Sequence, residues 1–303
     1  MKSRFLIIAG SEKSGTTSLY QYLSDSQLFT PSKKKETDFF REKNYDDLDL
    51  YKACFANKGQ GSQVYLEASP GYLADSKVVA KRLDAVLSDY HLVFCLRNPI
   101  DRLLSSFVFH KSRLYIPSEM TFEHYFDECM KYEADSKYRS VVNEWCLRVP
   151  DSGKYYKHLL DYEEINGHKS MTLVSFECLV KEPKDVMVDI LAKLGLPSKF
   201  YDNYEFGQSN ATQSHKNDII QKVALWINSA LEGIWLRNPR LKQFLLSIYK
   251  SINGAPKEKI ILSDQLRARL VEYYSDDLYK LRESPYLKEG IVDGWLKKML
   301  GGG

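Results

Sequence analysis

The stretch RFLIIAGSEKSGTTSLYQYL, residues 4–23, constrains this chain more than any other. RFLIIAG is an uninterrupted apolar run closed by a glycine, the pattern of a strand covered on both faces. Leu19, Tyr22 and Leu23 then recur at helical spacing. A strand that turns through Gly and Ser into a helix gathers backbone N–H groups at the helix N-terminus, which attracts a phosphate. Thr16, Thr17 and Ser18 add hydroxyl donors at the same place. Gly10 and Gly15 have the separation of a nucleoside-triphosphate P-loop, in which lysine directly follows the second glycine. Here Thr16 holds that position, and Lys13 stands three residues nearer the strand. An ammonium group there is a poor fit to the β- and γ-phosphates of Mg-ATP.

The rest of the chain alternates strand and helix. VYLEASPGYL (64–73) reads as a strand stopped by Ser69-Pro70-Gly71, DSKVVAKRLDAVL as an amphipathic helix, and HLVFCLRNP as a third buried strand ended by Asn98-Pro99. IDRLLSSFVFHKSRLY continues as a helix and SMTLVSFECLV as a fourth strand. KDVMVDILAKLGLP is a helix with a glycine stop and Pro197 beyond it. LSDQLRARLVEYYSDDLYKLRE is a helix with Ser263 as N-cap. This alternation predicts an α/β fold of three layers, a central parallel sheet flanked by helices. Residues 236–256 are the least regular after residue 200 and read as a surface excursion. One domain over 1–300 is expected, with the glycines at 301–303 a disordered tail.

Bulk properties remove several function classes. A charged fraction of 27% and a net charge of +3 give no global basic field of the kind nucleic-acid binding requires. Five scattered cysteines without a C-x-x-C pair point to neither a disulfide framework nor a zinc site. FLIIAG is too short for a signal peptide, and no run approaches the ~18 apolar residues of a membrane span. A soluble, cytoplasmic chain is expected.

A second element, FCLRNPIDRLLSSF (94–107), follows the loop by about 85 residues and sits on its own strand-to-helix junction. Together the two resemble the sulfotransferases that use 3′-phosphoadenosine 5′-phosphosulfate (PAPS), and LVSFECLVKEPKDVMVDILAKLGLP resembles a later strand–helix unit of that family. The resemblance implies a P-loop-kinase-like fold and PAPS as donor. Lys13, Ser14, Gly15, Thr16, Thr17 and Ser18 would then hold the 5′-phosphosulfate. Arg97 and Ser105, eight residues apart, would hold the 3′-phosphate, a role that suits a bidentate guanidinium. No metal is required, because Lys13 supplies the positive charge.

KKKETDFF (33–40) is similar to the K-E-x-x-F-F segment of the heparan sulfate-type enzymes, which implies Glu36 as catalytic base and places Lys35 at the acceptor. His110 and His215 stand as alternative bases. The family segment E-K-T-P-x-Y is EASPGY here, with Ala68 in place of a lysine that contacts the sugar polymer in some members. Glu67, Ser69 and Tyr72 are assigned to the acceptor cleft. SNATQSHKND falls where family members close over the nucleotide, which selects Thr212 and Lys216. The implied reaction is sulfonate transfer from PAPS to a hydroxyl or amine of a carbohydrate. Aryl, lipid or small-metabolite acceptors are the alternative, and a kinase-like P-loop enzyme a more distant one.

Overall fold

The computed structural model describes residues 4–56, 64–167, 171–207, 214–231, 238–255, 259–285, 287 and 290–301. They group into two compact units. The first comprises Met1–Arg102, Asp151–Ser209 and Arg267–Gly303, and the second Leu103–Pro150 and Asn210–Leu266. In chain order the elements are β1 (Arg4–Gly10), α1 (Thr16–Asp25), β2 (Phe29–Pro31), α2 (Leu48–Ala53), β3 (Val64–Ala68), α3 (Ser76–Val86), β4 (Tyr90–Leu96) and α4 (Pro99–Ser112). There follow α5 (Phe122–Ala134), α6 (Glu144–Leu147), α7 (Tyr155–Asn166), β5 (Met171–Ser175), α8 (Phe176–Lys181) and α9 (Pro183–Leu194). The last are β6 (Ser214–His215), α10 (Asp218–Ala230), α11 (Pro239–Asn253), β7 (Gly254–Ala255), α12 (Asp264–Glu283) and α13 (Ile291–Met299).

The first unit is built on a five-stranded sheet of order β2-β3-β1-β4-β5. Every pairing in it is parallel. Parallel sheets need helices on both faces, and the apolar run of β1 meets that condition: Leu6, Ile7, Ile8 and Ala9 are fully buried. The chain leaves β1 toward β3 on one side and returns to β4 on the other. Such a reversal opens a crevice beyond the C-terminal ends of the strands, where ligands of open α/β sheets bind. Local capping ties the layers together. α7 has no side-chain cap of its own at Lys154, but Asp277 on α12 accepts from the amides of Tyr156 and Lys157, both at 3.0 Å.

Three elements differ from the sequence reading. The strand expected to run through SFECLV ends at Ser175, whose hydroxyl accepts from the Cys178 amide at 3.0 Å and starts α8. A short polar side chain caps a helix more readily than it extends a buried strand. The strand from Val64, by contrast, ends at Ala68 as the stop at Ser69-Pro70-Gly71 led one to expect, and Pro70–Tyr72 forms a 3-10 turn. The segment read as irregular contains α11, with Pro239 in the first turn, where its missing N–H costs nothing. The three-residue edge strand β2 is too short to show periodicity and was not anticipated.

In the second unit, α5 is capped by Thr121, whose hydroxyl accepts from His124 N at 3.2 Å. Glu128, on the same helix, gathers Lys131, Tyr138 and Ser140 around a buried carboxylate. β6 and β7 form a two-stranded antiparallel ribbon.

The sheet also carries a pH-dependent element. His91 on β4 is buried against Thr172 of β5 at 2.7 Å. Burial, with Lys193 and Arg4 adding repulsion, lowers its pKa to about 4. The unfolded chain therefore takes up this proton first, at about pH 6.5. Its stability contribution is complete above that pH and is lost as pH falls toward 4. Urea unfolding of His91→Asn between pH 5.5 and 4.5 should show a slope of stability on pH reduced by about 1.4 kcal/mol per pH unit relative to wild type. An unaltered slope would remove His91 from the acid limb.

Candidate active site

The loop from Ser11 to Gly15 joins the C-terminal end of β1 to α1 and is stitched to the end of β4. Ser11 N donates to the Cys95 carbonyl at 2.7 Å, and the Cys95 thiol donates to the Ser14 carbonyl at 2.8 Å. Burial pushes that thiol well above its usual range, so it stays protonated and can donate. The Ser11 and Ser14 hydroxyls bond each other at 2.6 Å. Ser14, expected as a ligand through the loop, is fully buried. Its hydroxyl thus serves the loop's shape, which leaves its backbone as the part that could meet an anion.

Two backbone positions give the loop its turn. Lys13 has φ 63° and Gly15 φ 83°, both left-handed. A Cβ on Gly15 would stand 2.9 Å from a ring carbon of Phe176. Gly15 supplies the N-cap position of α1 without any side-chain cap bond, and the first turn of α1 holds no acid. The N-terminal amides of α1, with the positive end of its dipole, thus receive no cap from the side chain at their own N-cap position. Thr16 is buried, Thr17 exposed and Ser18 half-buried at this end.

Arg97 follows β4 directly and reaches the same loop. Its guanidinium donates to the Lys13 carbonyl at 3.3 Å and stacks 4.7 Å above the Phe176 ring. Tyr155 fixes the Arg97 backbone by donating to its carbonyl at 2.7 Å. Phe176 thus touches both the glycine of the loop and the arginine. It was missed because SFECLV read as strand. A Ser followed by acidic and apolar residues was the available signal of a helix start.

Next to this loop, the segment carrying Lys35 and Glu36 is organised by Glu67 at the end of β3. Glu67 is fully buried. It accepts from Thr37 Oγ1 at 2.6 Å, Ser69 Oγ at 2.7 Å, Tyr72 Oη at 2.7 Å and the hydroxyl of Tyr51. Three of these hydroxyls accept in turn from consecutive amides: Ser69 from Asp38 N at 3.0 Å, Thr37 from Phe39 N at 3.3 Å and Tyr72 from Phe40 N at 3.1 Å. Burial raises the Glu67 pKa, while the four hydroxyl donors oppose the shift. The expectation that Glu67, Ser69 and Tyr72 line an acceptor cleft is corrected here. All three are fully buried, and their polar atoms are spent on holding residues 37–40.

Glu36 itself projects from this held segment. Its side chain is 52% exposed and pairs with Lys35 Nζ at 2.7 Å. An exposed carboxylate on a fixed backbone can accept a proton from a bound acceptor. An open cleft of about 480 Å³ in the same unit is lined by Asp38, Arg41, Glu42, Asp75 and Arg82. Arg41 bridges Asp38 at 3.4 Å and Asp75 at 2.8 Å.

The remaining expected residues fall elsewhere. Ser105 is half-buried on α4, in the second unit. Lys216 is exposed in the second unit, its amide donating to Asn253 O at 2.9 Å. Thr212 lies outside the described residues. His110 is fully buried, and His215 Nε2 bonds Asp218 at 2.7 Å.

Two substitutions check this geometry. Gly15→Ala should cost about 1–2 kcal/mol from the left-handed backbone alone, before any clash with Phe176. Thermal unfolding would then show a lower midpoint than wild type, and an unchanged midpoint would contradict the close packing. Glu67→Gln puts an amide donor among four hydroxyl donors and should cost about 1–3 kcal/mol. Faster hydrogen exchange at the amides of Asp38, Phe39 and Phe40 is the specific signature. Exchange there at the wild-type rate would mean that the hydroxyl relay does not hold the segment.

The sulfotransferase domain family matches residues 3–229. The bifunctional heparan sulfate N-deacetylase/N-sulfotransferase 1 of Xenopus laevis is 29% identical over 306 aligned residues, covering 97% of this chain and 31% of that protein. The Homo sapiens protein of the same name is 30% identical with the same coverage. The chain thus spans about a third of the length of these relatives. The crystal structure of a sulfotransferase from Alicyclobacillus acidocaldarius shares the fold, with a TM-score of 0.61 at 20% identity over 93% of this chain and 95% of that one. With a match across three quarters of its length, including the loop at Lys13, the K-E-T-D-F-F segment and Arg97, this chain belongs to the sulfotransferase domain family.

Proposed function

We propose that this protein transfers a sulfonate group from PAPS to a hydroxyl or amine of a carbohydrate and releases the bisphosphate product, PAP. The observation that carries the reading is the junction of the anion-binding loop with Arg97: a left-handed, uncapped helix start bonded to a guanidinium through Lys13 O and packed on a shared Phe176. The donor fits that junction, since a phosphosulfate needs amides and one cation, and its 3′-phosphate needs a second cation nearby. PAPS supplies an activated sulfonate with a phosphate leaving group.

The chain's own residues do the rest. Amides of the loop and of Thr16, Thr17 and Ser18 hold the 5′-phosphate. The Lys13 ammonium offsets charge that develops on the leaving oxygen. Arg97 grips the 3′-phosphate. Glu36 takes the proton of the acceptor, and Lys35 pairs with that carboxylate at 2.7 Å. Catalysis is then positioning and preorganised charge, as in phosphoryl transfer. The heparan sulfate relatives favour a glycan acceptor. Ala68, which replaces the sugar-contacting lysine, favours a second reading with a phenolic, lipid or small-metabolite acceptor.

Calorimetry with PAP and with Mg-ADP separates the donor question from the acceptor question. PAP should bind in preference, and Arg97→Ala should weaken it roughly ten- to a hundredfold, the worth of a charge-assisted contact of ~1.5–3 kcal/mol. Preference for Mg-ADP, or indifference to Arg97, would overturn the reading. Glu36→Gln should keep PAP affinity and lose about 10²–10⁴ in turnover on an accepted glycan. Turnover that survives this change would remove Glu36 as the base.

A further inference from the structure

The second unit presents a helix pair turned inside out. On α10, Ile219, Val223, Trp226 and Ile227 fall within roughly 100° of the helix circumference, the spacing of a face made for burial. Ile219 is 73% and Trp226 71% exposed. The buried residue of this helix is a polar one. Gln221 lies roughly opposite that stripe and donates to the Ser112 carbonyl at 2.6 Å, while accepting from the Tyr249 hydroxyl. α11 repeats the arrangement. Leu241, Phe244, Ile248 and Ile252 form its stripe, with Phe244 and Ile252 each 61% exposed.

Polar groups clasp the two helices to each other. Asn217 N donates to Asn253 Oδ1 at 2.8 Å, and Asn253 Nδ2 donates to Asn217 O and to the Tyr249 hydroxyl, both at 3.1 Å. Both helices are therefore fastened through amides and hydroxyls, while their patterned apolar faces meet water. An apolar surface of this extent marks an interaction site.

Charge chooses the occupant. Along the sequence α10 and α11 carry Lys222, Arg240, Lys242 and Lys250 against Asp218, an excess of three (four minus one), as large as that of the whole chain at +3. The net positive charge of the whole chain is thus matched by these two helices alone. A symmetric contact with a second copy would set two such excesses against each other, which electrostatic complementarity disfavours. An anionic lipid surface accepts both features at once: apolar side chains enter the acyl boundary and Lys and Arg meet the headgroups. We propose that α10 and α11 form a peripheral docking surface for an anionic membrane, lying in the interface plane without crossing it. Among the described residues no helix is long and apolar enough to cross a membrane. The proposal does not rest on the transfer reaction.

The test is sedimentation of the full chain with vesicles of phosphatidylcholine alone and with about 30 mol% phosphatidylserine. Binding to the anionic vesicles should exceed binding to the neutral ones by tenfold or more and fall in high salt. Trp226→Glu and Phe244→Glu should each reduce it at least tenfold with unchanged circular dichroism. Should those variants unfold, quenching of tryptophan emission by brominated lipid decides instead, and Trp226→Phe should bind as wild type with reduced quenching. No binding to anionic vesicles overturns the proposal, as does binding that neither variant weakens or quenching that Trp226→Phe leaves intact. Concentration-dependent self-association abolished by the same substitutions, without vesicle binding, assigns the face to a second copy and also overturns it.

Discussion

A single buried carboxylate sets the geometry of the segment that follows Glu36. Glu67 sits where β3 ends, with no exposure, and holds four hydroxyl protons. A carboxylate in that position is costly unless its lone pairs are occupied. The hydroxyls that occupy them are themselves polarised, and each of three passes the ordering on by accepting a backbone amide of residues 38–40. The result is a relay from one charge to three peptide groups. It fixes an otherwise irregular segment without giving it the hydrogen bonds of a helix or strand. Glu36 can then be exposed and still be held in place, because its order comes from the backbone two residues downstream.

The donor half uses a different device with the same outcome. Its loop is ordered by β4 and α8 through Cys95, Phe176 and Arg97. Both halves converge on β1. Ser69 and Leu73 donate to the carbonyls of Ile8 and Ala9, and the loop begins one residue after Gly10. The central strand therefore ties the elements that order the Glu36 segment to the strand end from which the Lys13 loop departs. Rigidity at the strand end is what lets the chemistry be left to exposed groups.

The sheet was legible because β1, β4 and their following helices are long and strongly patterned. The anion loop was legible because its function rests on backbone conformation, and only glycine reports that in a sequence. The Glu67 relay was not. EASPGY offered three polar residues next to a turn, and nothing local says whether a carboxylate faces water or four hydroxyls from Thr37, Tyr51, Ser69 and Tyr72. Two of those donors come from more than ten residues away, so the burial of Glu67 is a tertiary fact. α11 was missed for a related reason. Asn238, Pro239 and the flanking glycines read as turn signals, yet asparagine followed by proline is also how a helix begins.

Ala68 shows how tightly acceptor choice is coupled to this architecture. It lies at the end of β3 in register with Ile8, fully buried in the cluster that contains Leu6, Leu19 and Cys95. Its neighbour Glu67 faces the opposite side of the sheet, since side chains alternate along a strand. A lysine at position 68 would have to leave its ammonium among apolar groups or displace the end of the strand to free it. The alanine is therefore part of the local packing and cannot be exchanged for lysine without cost to β3. In the proposed reaction the acceptor has to be recognised by side chains that reach water, and residues 33–41 present them: Lys33, Lys34 and Glu36 are exposed, with Lys35 and Arg41 pinned beside carboxylates. Under the proposed reaction, such a row of cations beside Glu36 favours an acceptor that is itself anionic.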